Sequence, residues 1–179
     1  NIGNHELYHD ETIQYIINEQ QHHHHNETST NVRRWNQKGY LSSNTILQNK
    51  DSSSQSMTGN KYTYLKGKHT NKTILAFGFL YDFDEGGSLT SHVNVQDTIQ
   101  QNWFQQVLKQ DNFDAVLVLA HMDCLHPLIG VLLKGIRLAL PPHKRETMPI
   151  QFVTGHTHRR CHAKLDPQAE SFEAGRFLD

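Results

Sequence analysis

The second half of the chain alternates short apolar runs with polar connections. Residues 115–120, "AVLVLA", form a continuous apolar run of strand length, which is typical of a strand buried on both faces. Residues 127–140, "PLIGVLLKGIRLAL", predict a helix with a proline in its first turn and two prolines after its end. Residues 150–154, "IQFVT", predict a second buried strand. This order predicts a right-handed βαβ unit with parallel strands, and therefore an α/β fold.

The segments before this unit have less regular patterns. Residues 10–20 carry isoleucines at helical spacing, and residues 40–47 and 72–83 are rich in branched and aromatic residues, which favours strands. Residues 96–110, "QDTIQQNWFQQVLKQ", predict one helix in which Asp97 and Gln100 form a capping box. The apolar stripe of this helix consists of Ile99, Trp103, Phe104, Val107 and Leu108.

Two polar tracts interrupt the apolar pattern, at residues 18–31 and 49–60. The first contains four consecutive histidines and the second is rich in serine. We expect both to be low-complexity surface insertions. Hydrophobic residues make up 36% of the chain, below the usual globular share, so part of its length is not expected to pack.

Charge and cysteine usage exclude several classes of protein. The net charge is −1 without a basic patch, which disfavours binding to a nucleic acid polymer or an anionic membrane. The longest apolar segment is interrupted by Lys134 and Arg137, so no transmembrane segment is expected. Cys124 and Cys161 lack CxxC spacing, so neither a disulfide framework nor a structural zinc knuckle is expected. Nucleophilic catalysis by Cys124 is disfavoured too, because the sequence indicates neither a lowered thiol pKa nor an oriented base.

Histidines follow both strands of the βαβ unit. His121 directly follows the first strand, and "GHTH", residues 155–158, directly follows the second. Ligands collect at the carboxyl ends of parallel strands, so these imidazoles should converge. In extended backbone, His156 and His158 would face the same side, and Gly155 would let the backbone approach a ligand closely. A lone histidine more often forms a hydrogen bond within the fold, but three at adjacent strand ends favour a metal site.

Three short motifs resemble a known family of enzymes. In order, "GNHE" at 3–6, "LAHMD" at 119–123 and "GHTH" at 155–158 resemble the last three motifs of calcineurin-like metallophosphoesterases. The likeness is closest to the 5′-nucleotidase branch, because "YLSSN" at 40–44 and "EAGRF" at 173–177 resemble it as well. The resemblance implies the later half of a four-layer α/β/β/α sandwich.

The resemblance also implies a centre of two divalent metal ions, either zinc, manganese or iron. Asn4, His121 and His156 would bind one ion, and His158 would bind the other. Asp123 is expected to be a solvated loop carboxylate rather than a ligand.

The implied reaction is hydrolysis of a phosphoric ester by in-line attack of a metal-bound hydroxide. His5 would be the catalytic residue that stabilises the transition state or protonates the leaving oxygen, and Glu6 and Gly155 would support the site. The substrate would be a small phosphorylated molecule such as a nucleotide.

The chain lacks two motifs with which this family completes the metal centre. Residues 1–179 contain neither Asp-x-His nor Gly-Asp-x-x-Asp at the family's position. Two cations about 4 Å apart repel strongly unless carboxylates hold them. The chain is therefore expected to be a partial metallophosphoesterase domain, inactive by itself and active within the full-length protein. The alternative is a non-catalytic remnant or scaffold that acts through partner contacts.

Two triplets match the acceptor pattern for N-glycosylation, at Asn26 and Asn71. They weakly favour a secretory or vacuolar location.

Overall fold

The computed structural model describes residue 11 and residues 41–47, 60–83 and 89–176. The "GNHE" motif, most of the helix expected at residues 10–20, and almost all of both polar tracts lie outside the described residues. Their predicted structure therefore stays a prediction.

A six-stranded mixed sheet organises the described part of the chain. Its strand order is β2-β3-β5-β6-β8-β7, and β1 and β4 form a separate antiparallel pair. The strands are β1 (Thr45–Leu47), β2 (Tyr62–Lys66), β3 (Thr73–Leu80), β4 (Thr90–His92), β5 (Ala115–His121), β6 (Ile150–Thr154), β7 (Cys161–Asp166) and β8 (Ala169–Glu173). The four central strands, β3, β5, β6 and β8, run parallel, while β2 and β7 are antiparallel edges.

Three α-helices and a short 3-10 helix complete the described elements. The helices are α1 (Val95–Gln100), α2 (Asn102–Lys109) and α3 (Pro127–Ala139), and the 3-10 helix spans Pro142–Lys144. The βαβ prediction is confirmed, since α3 connects parallel strands β5 and β6 within the predicted bounds. The α/β fold class is likewise confirmed.

The helices pack on one face of the sheet and form the hydrophobic core with it. Strand residues that share this face through the register, such as Leu75, Val116 and Ile150, are buried together with Phe104, Leu132 and other helical side chains. The prediction that residues 115–120 are buried on both faces is wrong. Alternate residues of β5 are only half-buried, and the described helices pack on the face that carries the fully buried ones.

The helix predicted at residues 96–110 is two helices. Gln101 adopts an extended conformation between α1 and α2, and the predicted capping box does not form because α1 begins before Asp97. Instead, the carboxylate of Asp82, which follows β3, accepts a hydrogen bond of 2.8 Å from the backbone N–H of Val95. This long-range cap sets the start of α1, and no local sequence pattern reports it.

Residues 41–44, the described part of "YLSSN", pack over β3 rather than forming a long strand. Ser43 donates its backbone N–H to the carbonyl of Gly78, and the Asn44 side chain both donates to and accepts from the backbone of Leu80. This contact is close: a Cβ atom at Gly78 would lie 2.5 Å from the carbonyl oxygen of Leu41. Glycine is therefore required where the two backbones meet.

Among the described helices, none combines the length and the apolar character that crossing a bilayer would need.

Candidate metal centre

The carboxyl ends of parallel strands bring the predicted histidines to one edge of the sheet. Ala120 of β5 pairs with Thr154 of β6, so the residues that follow these two positions emerge side by side. His121 is the last residue of β5, and residues 155–158, here called the histidine loop, come directly after β6. The backbone N–H of Gly155 donates to the carbonyl of Met122, which ties the two strand ends together.

His121 and His156 are in direct contact. Their Nε2 and Nδ1 atoms, respectively, lie 3.2 Å apart, and their ring centroids lie 5.0 Å apart. Two nitrogen ligands of one tetrahedral zinc ion, each bound at about 2.0 to 2.1 Å, are separated by about 3.4 Å. The observed spacing therefore suits two ligands of a single ion, and it also allows a hydrogen bond between one protonated and one unprotonated nitrogen.

Tyr81, which lies at the end of a third strand, restricts the position of the histidine pair. It follows β3, and its ring centroid lies 5.0 Å from that of His156 at an interplanar angle of 46°. The register of β3 with β5 places Leu80 opposite His121, so Tyr81 is delivered to the same edge. No signal in the sequence distinguished Tyr81 from the other aromatic residues of its segment.

The histidine loop is not extended, so the prediction based on alternating strand geometry is wrong. The φ angles of His156 and His158 are +111° and +59°, values that non-glycine residues rarely adopt. Such conformations cost on the order of 1–3 kcal/mol each and persist only where the surroundings impose them. By contrast, a Cβ atom at Gly155 would meet nothing within 4 Å. The strained positions are thus the histidines and not the glycine.

Glu173 accepts hydrogen bonds from the histidine loop. It is buried at the end of β8, and its Oε1 atom accepts hydrogen bonds from the backbone N–H groups of Thr157 and His158 and from the Thr157 hydroxyl, at 2.8, 2.9 and 2.9 Å. The sequence singled out "EAGRF" only as a block of resemblance. The hydrogen bonds show what its first residue does in the fold.

The two cysteines form a disulfide, which corrects the expectation from their spacing. Cys124, in the loop after β5, is bonded to Cys161 at the start of β7, with Cα atoms 6.1 Å apart. Spacing alone missed the pair because the sheet brings together positions 37 residues apart. The bond also removes the thiol that nucleophilic catalysis by Cys124 would need.

Asp123 lies beside this disulfide but offers little as a metal ligand. Asp123, Cys124 and Cys161 form a group of donors within 4.8 Å of one another among the described residues. However, the disulfide occupies both sulfurs, and one Asp123 oxygen accepts the backbone N–H of Leu125 at 2.7 Å. This arrangement agrees with the expected loop role of Asp123.

Asp82 also lies at this edge of the sheet, yet its contacts are structural. Besides capping α1, its carboxylate lies 3.3 Å from the Nε2 atom of His92. The other ring nitrogen of His92 is buried without a hydrogen-bond partner among the described residues.

The remaining predicted site residues are placed only in part. His158 is exposed, and its imidazole does not form a three-donor group with His121 and His156 within the described residues. Asn4, His5 and Glu6 lie outside the described residues. Their convergence with the histidine pair stays a prediction.

Comparisons with known proteins give relatives and a similar solved structure. No protein-family model matches the chain. The chain is 28% identical to a protein of Arthroderma benhamiae that is named a secreted protein, and 31% identical to an uncharacterised protein of Schizosaccharomyces pombe. Each alignment covers 99% of this chain, which spans 25% and 27% of these relatives, respectively.

A solved structure shares the fold over the same extent. The crystal structure of a 5′-nucleotidase from Candida albicans superposes with a TM-score of 0.80 at 26% identity, covering 99% of this chain and 30% of the nucleotidase chain. The likeness supports a phosphoesterase-type fold and confirms the resemblance drawn from the motifs. The chain therefore fits a C-terminal part of a 5′-nucleotidase-like domain.

Proposed function

We propose that the full-length protein hydrolyses phosphoric esters, with small phosphomonoesters such as nucleotides as substrates. The observation that carries this proposal is the contact of His121 with His156 at the carboxyl edge of the sheet, with 3.2 Å between ring nitrogens. A 5′-nucleotidase shares the fold, which favours this chemistry over others that paired histidines could serve.

We further propose that His121 and His156 hold one of two divalent metal ions, zinc, manganese or iron. Imidazole nitrogens suit all three metals, and the nitrogen spacing fits two ligands of one ion. Asn4 is proposed as a further ligand of this ion and His158 as a ligand of the second. When bound, the two ions would polarise the phosphoryl oxygens and activate the attacking water.

The proposed ligands His156 and His158 are accessible to solvent, and neighbouring residues would orient them. His156 is exposed, so a phosphate group can approach it from solvent, while Tyr81 limits the rotation of its ring. In the proposed mechanism, His5 stabilises the phosphoryl transition state or donates a proton to the leaving oxygen, and Glu6 supports it. The net charge of −1 and the scattered cations favour a small substrate over a nucleic acid polymer.

The test combines metal analysis of the full-length protein with a phosphatase assay on a model phosphomonoester, with Mn²⁺ or Zn²⁺ added back. We expect His121→Ala and His156→Ala each to lower kcat/KM at least about a hundredfold and to weaken metal binding at least about tenfold. His5→Ala should lower kcat at least about tenfold. A smaller loss would contradict its assigned role.

His143→Ala is the matched control for these variants. His143 is exposed on the 3-10 helix that precedes β6, at the opposite edge of the sheet, where it lies 3.3 Å from a carboxylate oxygen of Asp111. Its loss should leave both metal content and activity unchanged. A wild-type protein that binds no metal and hydrolyses no phosphomonoester would overturn the proposal and favour a non-catalytic scaffold.

The proposed location is secretory. The relative from Arthroderma benhamiae is named a secreted protein, and the described residues contain a disulfide, which forms and persists in oxidising compartments.

A further inference from the structure

Glu173 is buried where the histidine loop meets the sheet. Its side chain lies at the end of β8, and its backbone pairs with Thr154, the last residue of β6. Both strands belong to the parallel centre of the sheet, so the carboxylate projects from a rigid base toward a loop that has no regular structure of its own.

The hydrogen bonds of Glu173 fall on the second strained histidine and on the residue between the two strained positions. Thr157 contributes its backbone N–H and hydroxyl, and His158 contributes its backbone N–H. A single carboxylate oxygen, Oε1, accepts all three. Without this acceptor, these two N–H groups would have to find other partners, and a hydrogen bond that holds His158 at positive φ would be lost.

The loop conformation decides where the proposed ligand atoms lie. The ring of His156 is attached to a backbone position with φ +111°, and in this conformation its Nδ1 atom lies 3.2 Å from Nε2 of His121. A residue that stabilises the loop therefore acts on the metal centre without touching the metal.

We propose that Glu173 is a positioning residue for the metal centre, which holds the histidine loop in its left-handed conformation through the acceptor atom Oε1. This inference rests on the proposed function where metal affinity is concerned. The chemical requirement at position 173 is a buried hydrogen-bond acceptor, and neither a negative charge nor a particular side-chain volume is required.

Two substitutions with side chains of nearly equal volume distinguish the effect of losing the hydrogen-bond acceptor from the effect of losing side-chain volume. Glu173→Gln keeps a carbonyl oxygen at the end of the side chain, whereas Glu173→Met fills the same space without a comparable acceptor. Thr157→Val removes one of the three hydrogen bonds from the loop side and leaves the buried carboxylate in place. Glu170→Ala is the matched control, because Glu170 is exposed on the same strand and pairs with His162 at 3.1 Å.

Two readouts are taken on the full-length protein: the Kd for Mn²⁺ by calorimetry, and the hydrogen-exchange protection of the Thr157 and His158 amides without metal. For Glu173→Met we expect the Kd to rise at least about tenfold and amide protection to fall at least about tenfold. Glu173→Gln should stay within about threefold of wild type in both, and Thr157→Val should raise the Kd about threefold. Glu170→Ala should change neither.

Several results would overturn the inference. Unchanged Kd and unchanged protection in Glu173→Met would show that the loop does not depend on the acceptor. Equal damage in Glu173→Gln and Glu173→Met would show that a single acceptor oxygen at position 173 is not sufficient, which contradicts the proposal. If Glu173→Met does not fold, an unchanged Kd and protection in Thr157→Val would reject the proposal. A wild-type protein that binds no Mn²⁺ would instead reject the proposed function, and amide protection would still decide the role of Glu173.

Discussion

The disulfide between Cys124 and Cys161 connects the loop that follows His121 to the start of β7, which follows the histidine loop. Cys124 follows His121 by three positions, and Cys161 follows His158 by three positions. Replacing both cysteines with alanine would therefore remove a covalent link between the loop after β5 and the chain that leaves the histidine loop. We expect lower stability and weaker metal binding from the same variant.

The expected loss of stability follows from the length of the closed loop. The bonded residues are 37 positions apart. In the chain-entropy account, closing a loop of this length lowers the entropy of the unfolded chain by about 13 cal/mol/K, or about 4 kcal/mol at 25 °C. Since domains are commonly stable by only about 5–15 kcal/mol, this is a large fraction of the total.

The assay is urea unfolding of the full-length protein, read by hydrogen exchange on peptides that span β5 to β8. The double variant should lose about 3–4 kcal/mol in the unfolding free energy of this region. Wild type treated with a phosphine reductant that does not bind metal should lose a similar amount, and this sample serves as the chemical control. The Kd for Mn²⁺ should rise several-fold in both, because the loop after β5 is no longer joined to the chain that leaves the histidine loop.

A loss of less than about 1 kcal/mol would refute the reasoning if mass spectrometry shows the bond intact in wild type. Free thiols at both positions in the purified wild-type protein would refute its premise.

Three further outcomes are expected. Gly78→Ala should destabilise the protein by about 2–4 kcal/mol in urea unfolding, because its methyl group would lie 2.5 Å from a backbone carbonyl oxygen, whereas Gly130→Ala, at an open helical position, should be neutral or stabilising. For Asp166, burial raises the pKa, but the hydrogen bonds from Arg137 and the backbone outweigh it, so the pKa is lowered from its usual 3.8. Its bidentate pair with Arg137 should therefore stabilise the fold fully at pH values above the usual pKa and progressively less as the pH falls through the lowered pKa. Asp166→Asn should remove this part of the pH dependence of urea unfolding. Asn71 is exposed in the turn between β2 and β3, so expression in a eukaryotic secretory host should yield a glycan there. Peptide mapping after glycosidase treatment should show conversion of Asn71 to aspartate, and an unmodified asparagine would contradict this prediction.

Local patterns were sufficient for the centre of the fold. The prolines around α3 mark its start and its end, and the apolar runs of β5 and β6 differ in length from a helix, so each signal lies within the element it predicts. The hairpin of β7 and β8 was not predicted, although its alternating burial shows the period of two that strands facing solvent on one side adopt.

Other features depended on partners far along the chain. The true start of α1 follows from its contact with Asp82, and the segment 96–110 alone carries a pattern for one continuous helix. The burial of β5 on only one face likewise depends on which side the helices occupy.

Local patterns in the chain predict that His121 and the "GHTH" motif meet at one sheet edge, because parallel strands joined by a helix end at the same edge. The geometry of the contact between His121 and the histidine loop depends on long-range interactions. A carboxylate 15 residues beyond His158 accepts the backbone N–H of this left-handed histidine, and the flanking cysteines pair across 37 positions. Hydrogen bonds and disulfides of this kind join residues that only the folded sheet brings within reach, so no local periodicity can report them.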